Sequence, residues 1–402
     1  MKEREKAYIC LCKIINEKQF SNIALRNIKD NTPFITQLVY GTLRNYRLCR
    51  KVWSKNVDRL PNSKIAILLD MACYELLFMD SASYGVVNEI VDIASTIKKG
   101  SYKSLVNALL RKVDKSDLID LTYGERYSCP DWLISLWQKQ YGKEVAETIL
   151  KSSLKEAKVG LRVNTLITTK EELLKDEKFT SGKVPNSLYY QGNIIDTDYF
   201  KEHKVFIQSL SAQEAVETMQ VKDDSLVLDL CAAPGTKSVQ MAIEMHNTGK
   251  IVANDVYPKR CKLIEENASK YGLTNITTVC FDGREIDKHL ENKSFDHVLV
   301  DAPCSGLGTL RHKPEIKITT TPNDLDQLVS LQKALLETAS RMVKINGTLL
   351  YSTCTLNKKE NEKQIETFLK EHADFTLVES KTIFPDEHDS DGFFVAKLKC
   401  LK

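Results

Sequence analysis

The chain has 402 residues, of which 42% are hydrophobic and 28% charged, and its net charge is +3 at pH 7. It is long enough for about two or three globular domains. No apolar run approaches the roughly 20 residues of a membrane helix, and the charged N-terminal segment does not resemble a signal peptide, so we expect a cytoplasmic protein with no membrane partner. The eleven cysteines are scattered without a Cys-x-x-Cys pair, which argues against a disulfide framework and a metal site.

Residues 1–125 are predicted to form an all-helical domain. Apolar residues recur at three- and four-residue spacing in the segments Ala7–Ile15, Phe34–Val52, Ile65–Phe78, Val86–Ile97 and Leu105–Val113. Residues 1–130 hold 21 Lys and Arg against 14 Asp and Glu, a net of +7, which leaves −4 for the remainder. A basic module favours a nucleic acid as partner, although a solvated basic face explains the excess equally well.

The second of these helical segments carries a candidate RNA contact. Five cations fall along one side of it and could meet phosphates: Arg44, Arg47, Arg50, Lys51 and Lys55. For any single one of them, a solvated outer face is at least as good an interpretation.

Residues 126–210 are predicted to form a small connecting module that mixes helices and strands. A helix begins near Pro130 and continues to about Tyr141, and the segment 160–164 reads as a short strand. Thr169 and Glu172 have the spacing of a capping box, and residues 178–195 hold further strands separated by turns.

Residues 211–402 alternate strand and helix, the pattern of a parallel sheet. The predicted strands are 226–230, 250–255, 276–281, 296–301, 348–353, Phe375–Glu379 and Phe393–Leu398. The longest helix runs from Asp324 to Lys344 and is predicted to end at Asn346-Gly347. Seven such strands fit the Rossmann-like α/β architecture of S-adenosylmethionine-dependent methyltransferases.

The first strand of this domain leads into a candidate cofactor loop. Small residues let the backbone approach a ligand closely, and the following helix start favours an anionic group; the loop comprises Cys231, Ala232, Ala233, Pro234, Gly235, Thr236 and Lys237. Asp255 ends the next strand. Its spacing in sequence from the loop is typical of an acid that hydrogen-bonds the ribose hydroxyls of a bound nucleoside. The pattern fits NAD or S-adenosylmethionine, and the absence of Gly-x-Gly-x-x-Gly argues against NAD.

Acids and cysteines follow the ends of several predicted strands. Because ligands bind beyond the carboxyl ends of parallel strands, we expect these side chains at one edge of the sheet: Asp229, Asp255, Asp282, Asp301, Cys304 and Cys354. A single cysteine there is usually buried filler. Two cysteines at consecutive strand ends favour a function instead.

Three segments resemble a known family. Cys231–Lys237, Asp301-Ala-Pro-Cys-Ser-Gly306 and Tyr351-Ser-Thr-Cys-Thr355 are similar to the signature segments of RNA cytosine-5 methyltransferases of the Nop/Sun type. Val39–Arg44 and Val106–Lys112 resemble NusB-like RNA-binding helical domains, which narrows the resemblance to the bacterial ribosomal small-subunit methyltransferase B group. The chain departs from the usual pattern at Thr236, at Ser209 and in His312-Lys-Pro-Glu315; the last segment could affect how RNA is held.

The resemblance implies a catalytic domain at 211–402, a connecting α+β module at 126–210 and a NusB-like domain at 1–125. It implies Cys354 as the nucleophile that adds to carbon-6 of cytosine, Asp301 as the partner of the cytosine edge and Cys304 as the residue that assists elimination. S-adenosylmethionine would lie on the Cys231–Lys237 loop, with Asp255 on its ribose, Asp282 on its adenine amine and Asp301 close by. The target base must leave its stack to reach such a pocket.

The sequence leaves two other functions open. A transfer RNA could replace 16S ribosomal RNA as the substrate, as it does for some Nop/Sun relatives. The chain could also be a non-catalytic NusB-like assembly factor, although the presence of both cysteines and all four acids disfavours this. We expect a monomer that binds RNA and no metal.

Overall fold

The computed structural model describes residues 1–97 and 100–402. Its α-helices are α1 Glu3–Asn16, α2 Ser21–Arg26, α3 Pro33–Arg44, α4 Tyr46–Ser54, α5 Ser63–Phe78, α6 Ser83–Thr96, α7 Lys103–Leu110, α8 Tyr123–Arg126, α9 Asp131–Tyr141, α10 Lys143–Ser153, α11 Lys170–Leu173, α12 Asp198–Lys201, α13 Leu210–Met219, α14 Thr236–Glu244, α15 Pro258–Lys270, α16 Ile316–Thr319, α17 Pro322–Met342 and α18 Glu362–Glu371. Its strands are β1 Gly160–Val163, β2 Phe179–Ser181, β3 Ser187–Tyr190, β4 Val205–Ile207, β5 Leu226–Asp229, β6 Lys250–Asn254, β7 Ile276–Val279, β8 Phe295–Asp301, β9 Val343–Thr353, β10 Phe375–Ile383 and β11 Phe393–Cys400.

The chain divides into a helical unit and a sheet unit. The helical unit comprises Met1–Glu156 and Leu310–Thr320, and the sheet unit comprises Ala157–Thr309 and Thr321–Lys402. This division places α9 and α10 with the helical unit, while the domain boundaries expected at residues 125 and 210 stay a prediction. Among the described helices, none combines the length and apolar character that a bilayer span requires.

The helical unit forms around α5, whose residues are buried along almost its whole length. Two carboxylates of α5 are buried, Asp70 and Glu75. Asp70 is 1% exposed and accepts hydrogen bonds from Arg50 Nε at 2.9 Å and from Trp53 Nε1 at 2.8 Å. A buried carboxylate requires such donors, because leaving it unpaired costs several kcal/mol, on the order of 3–5. Arg50 is therefore part of the core's polar centre.

The predicted phosphate-contacting stripe is not a free cationic surface. The segment expected as one helix is broken at Asn45 into α3 and α4, and Arg44 is buried, donating to the carbonyl of Arg311 at 3.2 Å. The other cations have partners within the helical unit: Arg47 with Asp131, Arg50 with Asp70, Lys51 with Glu125 and Lys55 with Asp117. Arg44 is thus a packing residue, whereas Lys51 and Lys55 remain 48% and 41% exposed, so the interpretation of the other four cations as phosphate contacts stays a prediction.

Leu310–Thr320, here called the strap, packs within the helical unit although it follows the cysteine loop in sequence. Glu315 is 2% exposed and its Oε1 accepts hydrogen bonds from the backbone N of Ser21 at 2.9 Å and from its Oγ at 3.0 Å. Lys317 is also buried and donates to the carbonyls of Arg44 and Tyr127. The carboxylate of Glu315 is hydrogen-bonded within the helical unit. Its packing therefore does not support the expectation that the His312–Glu315 segment affects how RNA is held.

Burial lowers the pKa of Lys317 to about 8, and this makes a prediction about stability. Between that value and its ordinary pKa near 10.4, the unfolded chain binds more protons at this residue than the folded chain. The free energy of unfolding of the wild type should therefore rise, relative to Lys317→Met, by up to about 3 kcal/mol between pH 8 and 10.5. Urea unfolding of both proteins across this range measures the difference, and a constant difference would show that the ammonium is not buried.

The sheet unit contains two sheets. The smaller has the antiparallel order β2-β3-β1-β4, and the larger has the order β10-β11-β9-β8-β5-β6-β7. In the larger sheet β5 to β9 are parallel, and β11 pairs antiparallel with both β9 and β10. The predicted seven-stranded Rossmann-like architecture is thus confirmed.

One predicted helix end is wrong. The helix α17 ends at Met342, and Asn346-Gly347 lies inside β9 instead of closing the helix. Here the pairing of β8 with β9 shifts register, from Phe295 opposite Val343 to His297 opposite Thr348. Asn346 has a φ of +63°, and the Asn-Gly pair forms an irregularity within the strand. Residues that tolerate a positive φ occur at such irregularities as well as at helix ends.

Candidate active site

The predicted site residues follow the carboxyl ends of parallel strands in one continuous row. The strand order β9-β8-β5-β6-β7 puts Cys354, Asp301, Asp229, Asp255 and Asp282 at or just beyond successive strand ends. Cys304 lies in the loop that follows β8, and the Cys231–Lys237 segment joins β5 to α14. The structure therefore brings the groups predicted from sequence to one edge of the sheet.

The loop after β5 lies close to the backbone of α15. Gly235 caps the start of α14 with a φ of +100°, and a Cβ atom there would lie 3.2 Å from Cα of Ile264. The loop carbonyls are held from outside: Asn267 donates to Pro234 O at 2.7 Å and Arg260 to Ala233 O at 3.1 Å. A loop fixed in this way presents backbone groups to a ligand without side chains in between.

Asp229 is the most deeply buried acid of the row. It is 1% exposed, its Oδ2 accepts a hydrogen bond from Ser238 Oγ at 2.6 Å, and its Oδ1 has no hydrogen-bond partner among the described residues. Burial, reinforced by the charge of Asp301, raises the pKa of Asp229 to about 7. A buried acceptor without a donor fits a cationic ligand group such as an ammonium.

The two acids at the ends of β6 and β7 have different surroundings. Asp255 is 4% exposed, accepts a hydrogen bond from the backbone N of Tyr257 at 3.1 Å and pairs with Arg260 at 3.3 Å. Asp282 is ion-paired with Arg284, whose hydrogen bonds lower the pKa of the carboxyl group. The contacts predicted for these acids, with the ribose and the adenine amine, stay predictions.

The two predicted catalytic cysteines lie side by side, with 3.4 Å between the Sγ atoms of Cys304 and Cys354. The hydrogen bond to Cys354, together with burial, raises the pKa of the Cys304 thiol well above its ordinary value. Cys231 differs from this pair, because burial and the neighbouring acids hold its pKa far above the ordinary range. Its thiol is suited to forming the wall of the site and not to acting as a nucleophile.

Asp301 is held by two neighbours. Its Oδ2 accepts a hydrogen bond from Lys237 Nζ at 2.6 Å, and its Oδ1 accepts one from Ser352 Oγ at 2.9 Å. Although burial disfavours the charged form of Lys237, the carboxylate of Asp301 and the negative charge available at Cys354 raise the pKa of its ammonium. Lys237 is thus a counter-ion within the site, and the cofactor contact predicted for it stays a prediction.

Comparisons with known proteins agree with this geometry. Residues 216–399 match the model of the family described as 16S rRNA methyltransferase RsmB/F, residues 1–115 match the NusB family, and residues 129–178 match the ferredoxin-like domain of RsmF/B-like methyltransferases. A Bacillus subtilis (strain 168) protein named probable ribosomal RNA small subunit methyltransferase B is 31% identical, with 98% of each chain covered. The chain belongs to the RsmB/F methyltransferase family.

Two further relatives support the membership. A Photorhabdus laumondii protein named ribosomal RNA small subunit methyltransferase B is 31% identical over 93% of this chain and 92% of its own. The crystal structure titled PH0851 has a TM-score of 0.82 and 26% identity, with 99% of each chain covered. The predicted family is confirmed, and as a methyltransferase of the RsmB/F family the chain uses S-adenosylmethionine as its cofactor.

Sequence reasoning missed one acid of this RsmB/F site. Glu360 is 0% exposed and organises the loops that follow β8 and β9. It lies in the run Lys358-Lys-Glu-Asn-Glu-Lys363, whose charge is typical of a solvated surface. The signal that could have identified Glu360 is its position in the sequence shortly after Cys354, which places it near the end of β9. Among the described residues there is no group of three potential ligands that could hold a metal ion.

The raised pKa of Asp229 predicts a pH-dependent contribution to stability. Between about pH 4 and 7 the folded protein keeps a proton on Asp229 that the unfolded chain releases, so this contribution is lost as the pH rises through 7. The stability of the wild type relative to Asp229→Asn should therefore fall between pH 5 and pH 8 by roughly 1–3 kcal/mol. Urea unfolding at the two pH values tests this; equal differences would place the carboxylate in water.

Proposed function

We propose that the protein transfers a methyl group to carbon-5 of a cytosine in 16S ribosomal RNA through a covalent cysteine adduct. The observation that carries the proposal is the pair of thiols 3.4 Å apart at the ends of β8 and β9, beside a carboxylate and a lysine. Carbon-5 of cytosine is a weak nucleophile, and a thiolate that adds at carbon-6 makes it reactive. A second thiol is needed only if the bond between carbon-6 and the first cysteine must be broken after methyl transfer.

Cys354 is the nucleophile in this proposal. The positive charge of Lys237 favours its thiolate, just as the negative charge at Cys354 favours the ammonium of Lys237. Cys354 directly follows β9, so its backbone is fixed by the pairing of Thr353 with Phe394. A thiolate on a rigid strand end is well placed to attack a base brought into the site.

Asp301 supports the addition step. Its carboxylate is oriented by Lys237 and Ser352, and it would accept a hydrogen bond from the cytosine edge. As the carbon–sulfur bond forms, negative charge moves toward the ring nitrogen N3, and the Asp301–Lys237 pair favours a proton there. The pair thus stabilises charge that develops only in the reaction.

Cys304 resolves the adduct in this proposal. Cys304 passes its thiol proton across the 3.4 Å contact to the sulfur of Cys354 as that sulfur leaves carbon-6, and it takes the proton from carbon-5. The pair of electrons from the C5–H bond forms the C5–C6 double bond, and the pair from the C6–Sγ bond stays on Cys354. Its raised pKa makes it a strong base once it is ionised. The RNA is then released with a methylated base.

The loop residues 231–235 with Asp229, Asp255 and Asp282 would hold S-adenosylmethionine. Among the described residues Oδ1 of Asp229 has no hydrogen-bond partner, and this oxygen fits the cationic methionine end. When bound, the cofactor supplies an electrophilic methyl group on a sulfonium centre. The nearby carboxylates favour a positively charged ligand.

The substrate is tested by bisulfite mapping of ribosomal and transfer RNA from cells with and without the protein. We expect one 5-methylcytosine in 16S ribosomal RNA to disappear when the protein is absent and to return with the wild-type gene. Loss from a transfer RNA would replace the proposed substrate, while no loss from either RNA would contradict cytosine-5 methylation altogether.

The two cysteines should fail at different steps. Cys354→Ala should abolish turnover by at least about 10³-fold and form no covalent complex, because the attacking atom is gone. Cys304→Ala should attack and transfer methyl, then retain RNA bonded through Cys354. Denaturing electrophoresis with labelled RNA and S-adenosylmethionine measures the adduct as a slower band, and the double variant should lose it.

Cofactor binding by both variants is the control, because neither substitution should disturb the loop after β5. If Cys354→Ala gave the stable adduct and Cys304→Ala gave none, the assignment of the two roles would be reversed.

Asp255→Ala should weaken S-adenosylmethionine binding by about 1–3 kcal/mol, the range for a hydrogen bond to a charged group. The reason is its buried position directly after β6, where its carboxylate would bind ribose hydroxyls. Calorimetry measures the affinity, with the exposed Glu265→Ala of α15 as a matched loss of charge. Equal affinities for the two folded variants would remove Asp255 from the site.

A further inference from the structure

Glu360 is a buried carboxylate to which the proposed mechanism gives no step. Its carboxylate accepts four hydrogen bonds. Oε2 accepts from the backbone N of Ser305 and from Gln332 Nε2, both at 2.9 Å. Oε1 accepts from Ser305 Oγ at 2.6 Å and from Asn357 Nδ2 at 2.9 Å. Its backbone carbonyl also accepts from the hydroxyl of Tyr351 at 2.7 Å. A carboxylate with this many donors is rigidly held.

The donors come from three separate parts of the sheet unit. Ser305 directly follows Cys304, Asn357 lies shortly after Cys354, and Gln332 is on α17. A second link joins the same loops, since Thr355 Oγ1 lies 2.7 Å from Ser305 Oγ and accepts from Leu307 N at 3.2 Å. Glu360 is therefore the centre of a polar cluster that ties the Cys304 loop to the Cys354 loop.

The two cysteines differ in how their positions are fixed. Cys354 is carried by β9, which has ladder partners on both sides in β8 and β11. Cys304 lies beyond the last paired residue of β8, Asp301, in a loop without strand pairing. The distance between the two Sγ atoms consequently depends on what holds the residues on either side of Cys304. Gln332 Nε2 donates to Pro303 O at 3.0 Å, and Glu360 accepts from both Ser305 N and Ser305 Oγ.

Charge distinguishes the two thiols as well. The positive charge of Lys237 interacts with Cys354, whereas the negative charge of Glu360 adds to the effects that raise the pKa of Cys304. Glu360 thus favours the protonated form of the thiol that acts last, while Lys237 favours the thiolate that acts first.

We propose that Glu360 is a positioning residue for Cys304, and that its specific task is the resolution of the adduct and not its formation. The proposal rests on the proposed function, because it assigns a step within that reaction. Without Glu360, Cys354 would still add to carbon-6 and carbon-5 would still be methylated. The proton on carbon-5 would then lack a well-placed base, so the C6–Sγ bond would persist.

The experiment compares Glu360→Gln with Cys304→Ala and the wild type. Gln keeps the size of the side chain but presents an amide NH₂ to donors, so the hold on Ser305 is weakened. We expect turnover to fall about ten- to a hundredfold, the range for a catalytic group misplaced by about 1 Å. The decisive readout is the RNA–protein band labelled with methyl from S-adenosylmethionine, which should accumulate several-fold over the wild type.

Glu366→Gln is the matched control, since it makes the same change at an exposed position of α18, the helix that follows Glu360. It should leave both turnover and the adduct as in the wild type. Ser305→Ala is a milder second variant that removes one of the hydrogen bonds and should accumulate less adduct. It keeps the test decisive if Glu360→Gln does not fold.

The outcomes separate the inference from the function on which it rests. If Cys304→Ala traps methylated RNA but folded Glu360→Gln and Ser305→Ala lose turnover without trapping it, Glu360 acts elsewhere and the inference is overturned. If Cys304→Ala traps nothing, the proposed reaction itself fails. Accumulation of methylated adduct in Glu360→Gln, with S-adenosylmethionine affinity unchanged, supports the inference, because a general loss of structure would not stop the reaction after methyl transfer.

Discussion

The pairing of β8 with β9 is the constraint on which the site depends. Asp301 lies opposite Ser352 in this parallel ladder, so the two strands end side by side and their following loops leave the sheet at the same edge. The ladder bonds continue to that edge, where Ala302 N donates to Ser352 O at 2.9 Å. A slip of one residue would turn the alternating side chains to the opposite face and separate the Asp301–Ser352 hydrogen bond.

The site keeps several charges away from water, and it can do so because they neutralise or solvate one another. Lys237 and Asp301 form a pair, and Glu360 replaces water with hydrogen-bond donors from the chain. Asp229 is the exception, since burial leaves one of its oxygens without a donor among the residues that the structure describes. Such a group destabilises the folded chain in the absence of a ligand, and a cation that binds there recovers part of that free energy.

Much of this arrangement could be predicted from the sequence, because its signals are local. Short apolar runs ending in Asp229, Asp255 or Asp301 identify buried strands, and strand ends in a parallel sheet converge by necessity. Glu360 and the cations of α4 were not predictable in the same way. Their surroundings are made by residues distant in sequence, as the ion pair of Arg50 with Asp70 shows. A run of charged residues looks identical in the sequence whether its side chains are solvated by water or paired with other residues.

The Asn346-Gly347 pair illustrates a different limit. Both a helix end and a strand irregularity use residues that tolerate a positive φ, so local chemistry permits either. Only the pairing of β9 with its neighbours decides between them, and that pairing involves strands from distant parts of the chain.

The strap makes the helical unit discontinuous in sequence, and this affects the order in which the protein can be assembled during its own synthesis. Residues 1–156 emerge first, but Ser21, Arg44 and Tyr127 have no strap partners until residue 320 has been made. By then the segment with β5 to β8 has also been synthesised. The first unit to be translated is therefore completed only after most of the second, which couples the two folding reactions in time.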